Sequence, residues 1–515
     1  MLYFLIFWIT YNLLNYYDKY FLYVILKTIL ILFFISAVQV FFQLIDLKEI
    51  SHKYLYEISG ISGHKNLYSS FIFLCSIFSF FSLLQLNRIW KLVSVFSIVL
   101  QIILIAILQT RTVWIAYIIF IITILLILLL RKKMKSLNYM TTILYIIVTI
   151  LLINISLLFV LPKYLNNYKK DVPTAYNQDK ISDLGTLSER FYIWKNTYDI
   201  INKNRWIGVG ANNWQIYFPS PSLPDIYPVQ DLNVTYQRPH NDFLWILSEY
   251  GILGFNILLI FTTSILFLLF YRIINFADIS CIILLSGILS FLCISFFDFP
   301  KERIEHNILY GILLGISVYY IKKDNKLLNT NLFHISKFML SGFIIVLIPI
   351  VYFSVQNFKG EYYTKIMYYE RMKKNNDNVI LLCDVATSKY YTIDPTSVPL
   401  NWYKGNANAN LGNYSQALND FRLALKSHPF NHHILNDLGS AFFMNNKIDS
   451  AIICFKEAVR INPRFDDPKL NLTVIYINIG NYSEAELWNE SILHDSERRN
   501  YYRQIINETK TDTSF

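Results

Sequence analysis

The sequence predicts an all-α protein in two parts. The first is a polytopic helical membrane domain of about ten spans with a large external loop. The second is a C-terminal α-solenoid of short helical repeats. Three observations carry this. The 515-residue chain is 54% hydrophobic and only 16% charged, with a mean hydropathy of +0.36, whereas soluble chains carry about a quarter charged residues. Its apolar runs are long enough to cross a hydrocarbon core, which takes roughly 20 helical residues. Small residues and prolines recur every 34 positions toward the C-terminus.

The spans fall near 2–16, 20–45, 66–86, 89–109, 112–130, 139–161, 251–271, 278–298, 305–321 and 334–354. Basic residues gather between them: Arg131, Lys132, Lys133 and Lys135; Arg272; Lys322, Lys323 and Lys326; with Arg88 and Lys91 in agreement. By the positive-inside rule that face is cytoplasmic. The loop 162–240, the short loop Asp298–His306, everything after about 355 and the N-terminus then lie outside. The net charge of +10 is thereby a topology signal and gives no reason to expect nucleic acid. No basic n-region or cleavage site opens the chain, so no cleavable signal peptide is expected. The five cysteines show no C-x-x-C, no disulfide framework and no metal-ligand spacing.

The repeats are set by Ala417, Ala451 and Ala485, by Pro395, Pro429 and Pro463, and by the pairs Gly405/Gly439, Phe421/Phe455 and Ala424/Ala458. Gly412 and Gly480 stand two periods apart. Small residues let two antiparallel helices approach closely, and Pro ends each second helix. This is the tetratricopeptide pattern. The domains are therefore 1–355 (membrane, with external loop 162–240), 360–497 (repeats) and 498–515 (a polar helix end and disordered tail). Repeats at 398–431 and 432–465 are clear, 466–497 is weaker with Asn489 at a usually aromatic position, and 362–397 is degenerate. So few repeats need packing against a flank or the membrane domain, and their concave surface suits a protein partner.

The chemistry concentrates in the external loop. Leu187 to Trp194 leads into a helix running to about Asn202, with Ser188 as its expected cap. The bland reading is an amphipathic helix followed by the glycine turn Trp206-Ile207-Gly208-Val209-Gly210. The functional one points the planar Arg190 guanidinium at a phosphate. Then comes Arg238-Pro239-His240-Asn241-Asp242, with Glu249 soon after. A lone loop His is usually structural. Here Arg, His and Asp crowd five residues at a membrane interface, where ionisable groups are costly without a role, and His can accept a hydroxyl proton near neutral pH. Asn241 or Asp242 can cap the helix beginning there. Thr110-Arg111 reads either as a snorkelling anchor or as a second phosphate ligand. Gly63-His64-Lys65-Asn66 opens the third span, as a helix start or part of a substrate entrance. Phe297-Asp298-Phe299-Pro300, with Lys301, Arg303 and His306, is mostly surface filler on the bland reading. His432-His433 reads as a solvated repeat start. No P-loop, G-x-G-x-x-G, G-x-S-x-G or H-E-x-x-H motif stands where it would be needed, and the loop lacks Asp-x-Asp.

Arg190-x-x-x-Trp194, Trp206-x-Gly208-x-Gly210 and His240-Asn241-Asp242…Glu249-x-Gly251-x-x-Gly254 together resemble the signature of the O-antigen ligase and polymerase superfamily (Wzy/WaaL-like membrane glycosyltransferases). Gly63–Asn66, Thr110-Arg111 and Phe297–Pro300 resemble its further elements. The resemblance covers roughly 60–355, and a fused repeat domain also occurs in this family.

It implies an enzyme of the bacterial inner membrane acting at the outer face. Such an enzyme takes a glycan from undecaprenyl diphosphate to an acceptor hydroxyl, with inversion and without metal or other cofactor. His240 would be the general base or position the acceptor. Arg190 and Arg111, and more weakly Arg238, would hold the diphosphate, with Asn241, Asp242, Glu249 and Asp298 in support. The acceptor could be lipid A core, another glycan (a polymerase) or a protein side chain (an O-oligosaccharyltransferase). Two readings outside catalysis are a membrane-anchored repeat scaffold and a lipid-linked glycan transporter. The second is disfavoured by spans nearly free of charge, Lys27 being the main exception.

Overall fold

A computed structural model describes residues 2–47, 54–130, 185–220, 236–276, 278–322 and 337–512. The expected span 139–161 and the loop segments 162–184 and 221–235 lie outside them. Among the described residues every regular element is a helix. In chain order these are α1 (Leu2–Ile45), α2 (Lys65–Gln85), α3 (Arg88–Leu108), α4 (Arg111–Leu130), α5 (Gly185–Lys203), α6 (Asp242–Phe276), α7 (Ile279–Phe297), α8 (Ile304–Lys322) and α9 (Lys337–Met372). The repeats follow as α10 (Asn376–Ala386), α11 (Leu400–Asn410), α12 (Tyr414–Ser427), α13 (His432–Met444), α14 (Ile448–Ile461), α15 (Asp466–Asn478), α16 (Tyr482–Glu490) and α17 (Glu497–Asp512). Among the described residues, seven helices, α1–α4 and α6–α8, are long and apolar enough to cross a membrane. The chain divides into two units: 1–182, 240–243 and 254–335; and 183–239, 244–253 and 336–515.

In the first unit α1 joins the two spans expected at 2–16 and 20–45 across a break at Asp18 (φ 47°). In lipid, helices associate by close packing over small residues. A Cβ on Gly311 of α8 would lie 2.8 Å from Ile6 Cβ of α1, and one on Gly315 would lie 2.7 Å from Thr10 Cβ. Helix α2 is the centre: nearly all of its side chains are buried. Gln101 of α3 donates to Ser79 Oγ of α2 and to Ser97 Oγ, both at 3.1 Å. The buried Gln101 amide nitrogen and the two serine hydroxyls thus pair with one another inside the bundle. Lys27, the charge that stood out in the spans, sits 5.4 Å from the centre of the Trp90 ring.

In the second unit the apolar-to-polar boundary near 355–360 is no domain break. Helix α9 runs unbroken from Lys337 to Met372 with Pro349 inside it. The segment after α10 is tied down by Asp394, which accepts from Tyr368 Oη (2.5 Å), Tyr403 Oη (2.8 Å) and Val398 N (2.9 Å). The repeat glycines do what their spacing implies. A Cβ on Gly405 would lie 2.8 Å from the Phe421 ring, and one on Gly439 would lie 2.7 Å from the Phe455 ring. Gly412 and Gly480 end their helices with positive φ, and Asn446, one period between them, takes the same conformation (φ 57°). Asn tolerates that region better than most residues, which is why the series looked incomplete in glycines alone.

Two expectations are corrected here. Residues 498–515 were expected to be a helix end and tail, but Glu497–Asp512 is helical and buries Ile506 in the repeat core. A solenoid end needs a cap, and the few apolar residues of this otherwise polar stretch hide it. His432 is not solvated: it is buried beside Phe465, with Asn462 Nδ2 3.3 Å from its Nε2.

Replacing Gly439 by Val should destabilise the repeats by about 1–3 kcal/mol through overpacking against Phe455. Faster hydrogen exchange in α13 and α14 of the full-length protein would register it. A pH effect follows from His428, whose ring nitrogens are both buried without a partner. Burial pushes its imidazole down to about 4, and lowers those of His432 and His433 too. The unfolded chain takes up these protons from about pH 6.5 downward while the folded one does not, so stability is full above that pH and falls below it. Exchange in α12–α14, corrected for intrinsic rates, should rise between pH 7.5 and 5, and His428→Leu should flatten the rise.

Candidate active site

The first unit gathers one set of expected site residues where α2, α4, α6 and α8 begin. His64 caps α2, its Nδ1 accepting from Asn66 N at 3.2 Å. Lys65 is buried, with Nζ 4.1 Å from the Tyr56 ring centre and 3.4 Å from Leu108 O. The α3–α4 corner turns at Gln109 (φ 54°) and is stitched to α2 through Thr110, whose Oγ1 lies 2.8 Å from Ser69 Oγ and 3.3 Å from Asn66 Oδ1. Thr110 is thus structural, and Arg111 emerges exposed as the first residue of α4.

The neighbouring serine ties down the other side. Ser70 Oγ lies 2.7 Å from His306 Nε2, which also lies 3.1 Å from Leu67 O. His306 is therefore buried, not surface filler. It follows the turn Pro300–Glu302, and that turn packs on the His240 element. Lys301 N donates to Asp242 Oδ2 at 3.1 Å, and buried Asp298 accepts from Phe299 N at 3.0 Å. The Phe299 ring meets the His240 imidazole edge-on, with centroids 4.9 Å apart. His240 itself holds φ 52°, a costly conformation for a residue other than glycine, and such strain clusters at functional sites. Asn241 is buried and Asp242 opens α6. The first unit thus brings His240, Asp242 and Asp298 together.

The second unit holds Arg190, Arg238 and Glu249. Ser188 lies inside α5, which begins at Gly185, and so is not its cap. Arg190 is half-buried. One turn on, Trp194 donates its indole N–H to Pro239 O at 2.9 Å. The same bond steadies half-buried Arg238 and the chain entering His240. Trp214 is fully buried and donates to Thr197 Oγ1 of α5 at 3.1 Å. The turn 204–213 docks on 248–253: Val209 N donates to Ser248 O and Gly210 N to Glu249 O, both at 2.9 Å, and Ile252 N donates to Arg205 O at 2.8 Å. Gly251 breaks α6 here (φ 63°), and a Cβ on it would lie 2.3 Å from Trp206 O. Glu249 is buried and accepts from the Trp245 indole at 2.7 Å, so it braces this turn. Two contacts run from the loop to the repeats. Tyr217 and Phe430 have ring centroids 5.5 Å apart, and Arg460 donates to Ser220 O at 3.4 Å.

Sequence reasoning missed Phe299 as the imidazole's neighbour, Trp194 as a strut, and Ser69-Ser70. Two hydroxyls side by side in an apolar span were the available signal. Among the described residues, no three His, Cys, Asp or Glu form a group that could hold a metal.

The architecture is that of a multi-pass membrane protein with a built loop site and a helical repeat array. Residues 96–259 match the family model described as O-antigen ligase, and residues 432–465 match a tetratricopeptide repeat model. Part of the chain is thus similar to the O-antigen ligase family, and a later segment is similar to a tetratricopeptide repeat. The first match contains Arg111, Arg190, Arg238, His240, Asp242 and Glu249; it is narrower than the resemblance and leaves out Gly63–Asn66 and Asp298. Among solved structures, the crystal structure of MamA protein is 21% identical, covering 26% of this chain and 70% of that one, with a TM-score of 0.24. A tetratricopeptide repeat protein from Parabacteroides merdae ATCC 43184 is 20% identical, covering 30% of this chain and 61% of that one, with a TM-score of 0.28. Comparison with curated proteins gave no match.

Gly251→Ala would need both an unfavourable φ and space that the Trp206 carbonyl fills. It should cost about 1–3 kcal/mol locally, read as faster tryptic cleavage at Lys203 and Arg205 in the intact protein.

Proposed function

We propose that this chain is a membrane glycosyltransferase that moves a glycan from undecaprenyl diphosphate to an acceptor hydroxyl at the outer face of the bacterial inner membrane. The observation that carries the reading is the His240 element. His240 has a positive-φ backbone and an imidazole set against Phe299, and Asp242, two residues on, accepts from Lys301 N; His240 and Asp242 both lie within the O-antigen ligase match. His240 accepts the acceptor's hydroxyl proton as that oxygen bonds to the anomeric carbon. The bond from that carbon to phosphate oxygen breaks on the opposite face, and the electron pair leaves with the diphosphate. Arg190 and Arg111, with Arg238 as a weaker ligand, stabilise the leaving charge. The donor is already activated, so neither nucleotide nor metal is required, and positioning supplies most of the rate.

The acceptor class follows less directly. The repeat array, whose concave surface suits a macromolecular partner, favours a polymer or protein acceptor over lipid A core. The same chemistry serves an O-antigen ligase, a polysaccharide polymerase and a protein O-oligosaccharyltransferase.

The test is glycan transfer by the purified protein in liposomes, with an undecaprenyl-diphosphate glycan and each acceptor in turn. His240→Ala should lower turnover by about 10²–10⁴, and Arg190→Ala by about 10²–10³, with folding intact. Wild-type transfer in folded His240→Ala protein would remove the assignment. Loss of cellular function only on deleting repeats would favour the scaffold reading.

A further inference from the structure

Beyond the loop site, one surface of the second unit is built from residues that no catalytic role uses. The exposed apolar side chains from Ile345 to Phe358 include Ile348, Val351, Tyr352, Val355 and Phe358, and they project from every side of α9. A helix apolar all round without protein cover belongs in lipid. Where this stretch gives way to Lys359 and Glu361, the loop after α10 folds back onto the same helix. Tyr391 packs on Gly360, where a Cβ would lie 2.3 Å from the ring, and its hydroxyl donates to Thr364 Oγ1 at 3.2 Å. Tyr390 points the other way along α9. Its ring meets Phe353 edge-on at 4.5 Å and Tyr352 at 6.0 Å. Lys389 Nζ lies 5.7 Å from the Tyr390 ring centre.

We propose that Tyr352, Phe353 and Tyr390, with Lys389, form a contact with the phospholipid headgroup layer that seats the repeat domain on the membrane surface. The argument is one of level and chemistry. Helix continuity fixes this cluster at the end of a lipid-facing stretch. Tyrosine rings prefer that depth because the ring is apolar and the hydroxyl wet. A lysine beside them can reach phosphate while its stem stays on apolar surface. All three rings remain substantially exposed although they pack on one another: Tyr352 is 53%, Phe353 39% and Tyr390 42% exposed. A purely intramolecular clamp would be complete with Tyr391 alone. The second tyrosine extends the apolar surface toward the span instead of closing it.

The experiment uses the full-length protein in phosphatidylcholine–phosphatidylglycerol nanodiscs, the phosphatidylcholine carrying a headgroup nitroxide. An environment-sensitive fluorophore is attached at Lys389→Cys, and in a separate protein at the exposed repeat position Lys447→Cys, with wild type treated with the same dye correcting for the native cysteines. Quenching at position 389 should exceed that at 447 by about threefold or more, as interfacial depth requires. Equal quenching at the two positions would overturn the proposal. Adding Tyr390→Ser to Lys389→Cys leaves Tyr391 on Gly360, so the clamp persists; the excess quenching should fall by about half. An unchanged excess would overturn the role given to the tyrosine.

Discussion

Two adjacent hydroxyls on α2 hold the membrane site together. Ser69 reaches Thr110, the residue before Arg111, and Ser70 reaches His306, behind the turn that carries Lys301. Lys301 in turn bonds Asp242, two residues beyond His240. A cation and an imidazole far apart in sequence are thereby referenced to one central, buried helix. Hydrogen bonds of this kind are modest in net energy. In a span, however, an unpaired hydroxyl has no water to turn to, so the arrangement is specified even where it is weak. The remainder of the first unit can be read as support for that helix.

The loop portion of the second unit follows a different logic. Beside a few buried apolar side chains, Ile193, Ile200, Trp214 and Phe218 among them, it relies on close backbone approach. Gly208 and Gly251 each lie so near the opposing chain that a Cβ would overlap it, and four backbone hydrogen bonds run across the gap at Val209, Gly210, Ile252 and Leu253. Trp194 and Trp214 then fix α5 against the returning chain through their indole N–H groups. Main chain and tryptophan thus supply rigidity here without adding charges.

How much of this was legible in sequence depended on the range of the signal. The repeats were, because Gly405 and Phe421, and Gly439 and Phe455, are paired by a local period that the packing repeats. The membrane helices were, because hydropathy is local too; even the breaks at Asp18 and Gly251 fall between or at the ends of expected spans. The loop residues Arg190 and His240 drew attention by type and crowding. What could not be read was anything set by a distant partner: the positive φ of His240, the Phe299 ring beside it, the burial of His306 and His432, and Glu249 serving as an indole acceptor. The unbroken α9 was hidden for another reason. A fall in hydropathy marks a change of solvent, not a change of backbone conformation, and here the two do not coincide.

That continuity has a mechanical consequence. Because α9 runs from its apolar stretch into the repeat array without a linker, its residues set an angular phase between the two. One residue inserted between Phe353 and Gly360 would turn the array by about 100° and lift it by about 1.5 Å. Length in this stretch is therefore a geometric parameter, as tooth count is in a gear. A flexible linker would have tolerated the insertion; a helix converts it into a different direction in which the repeats face.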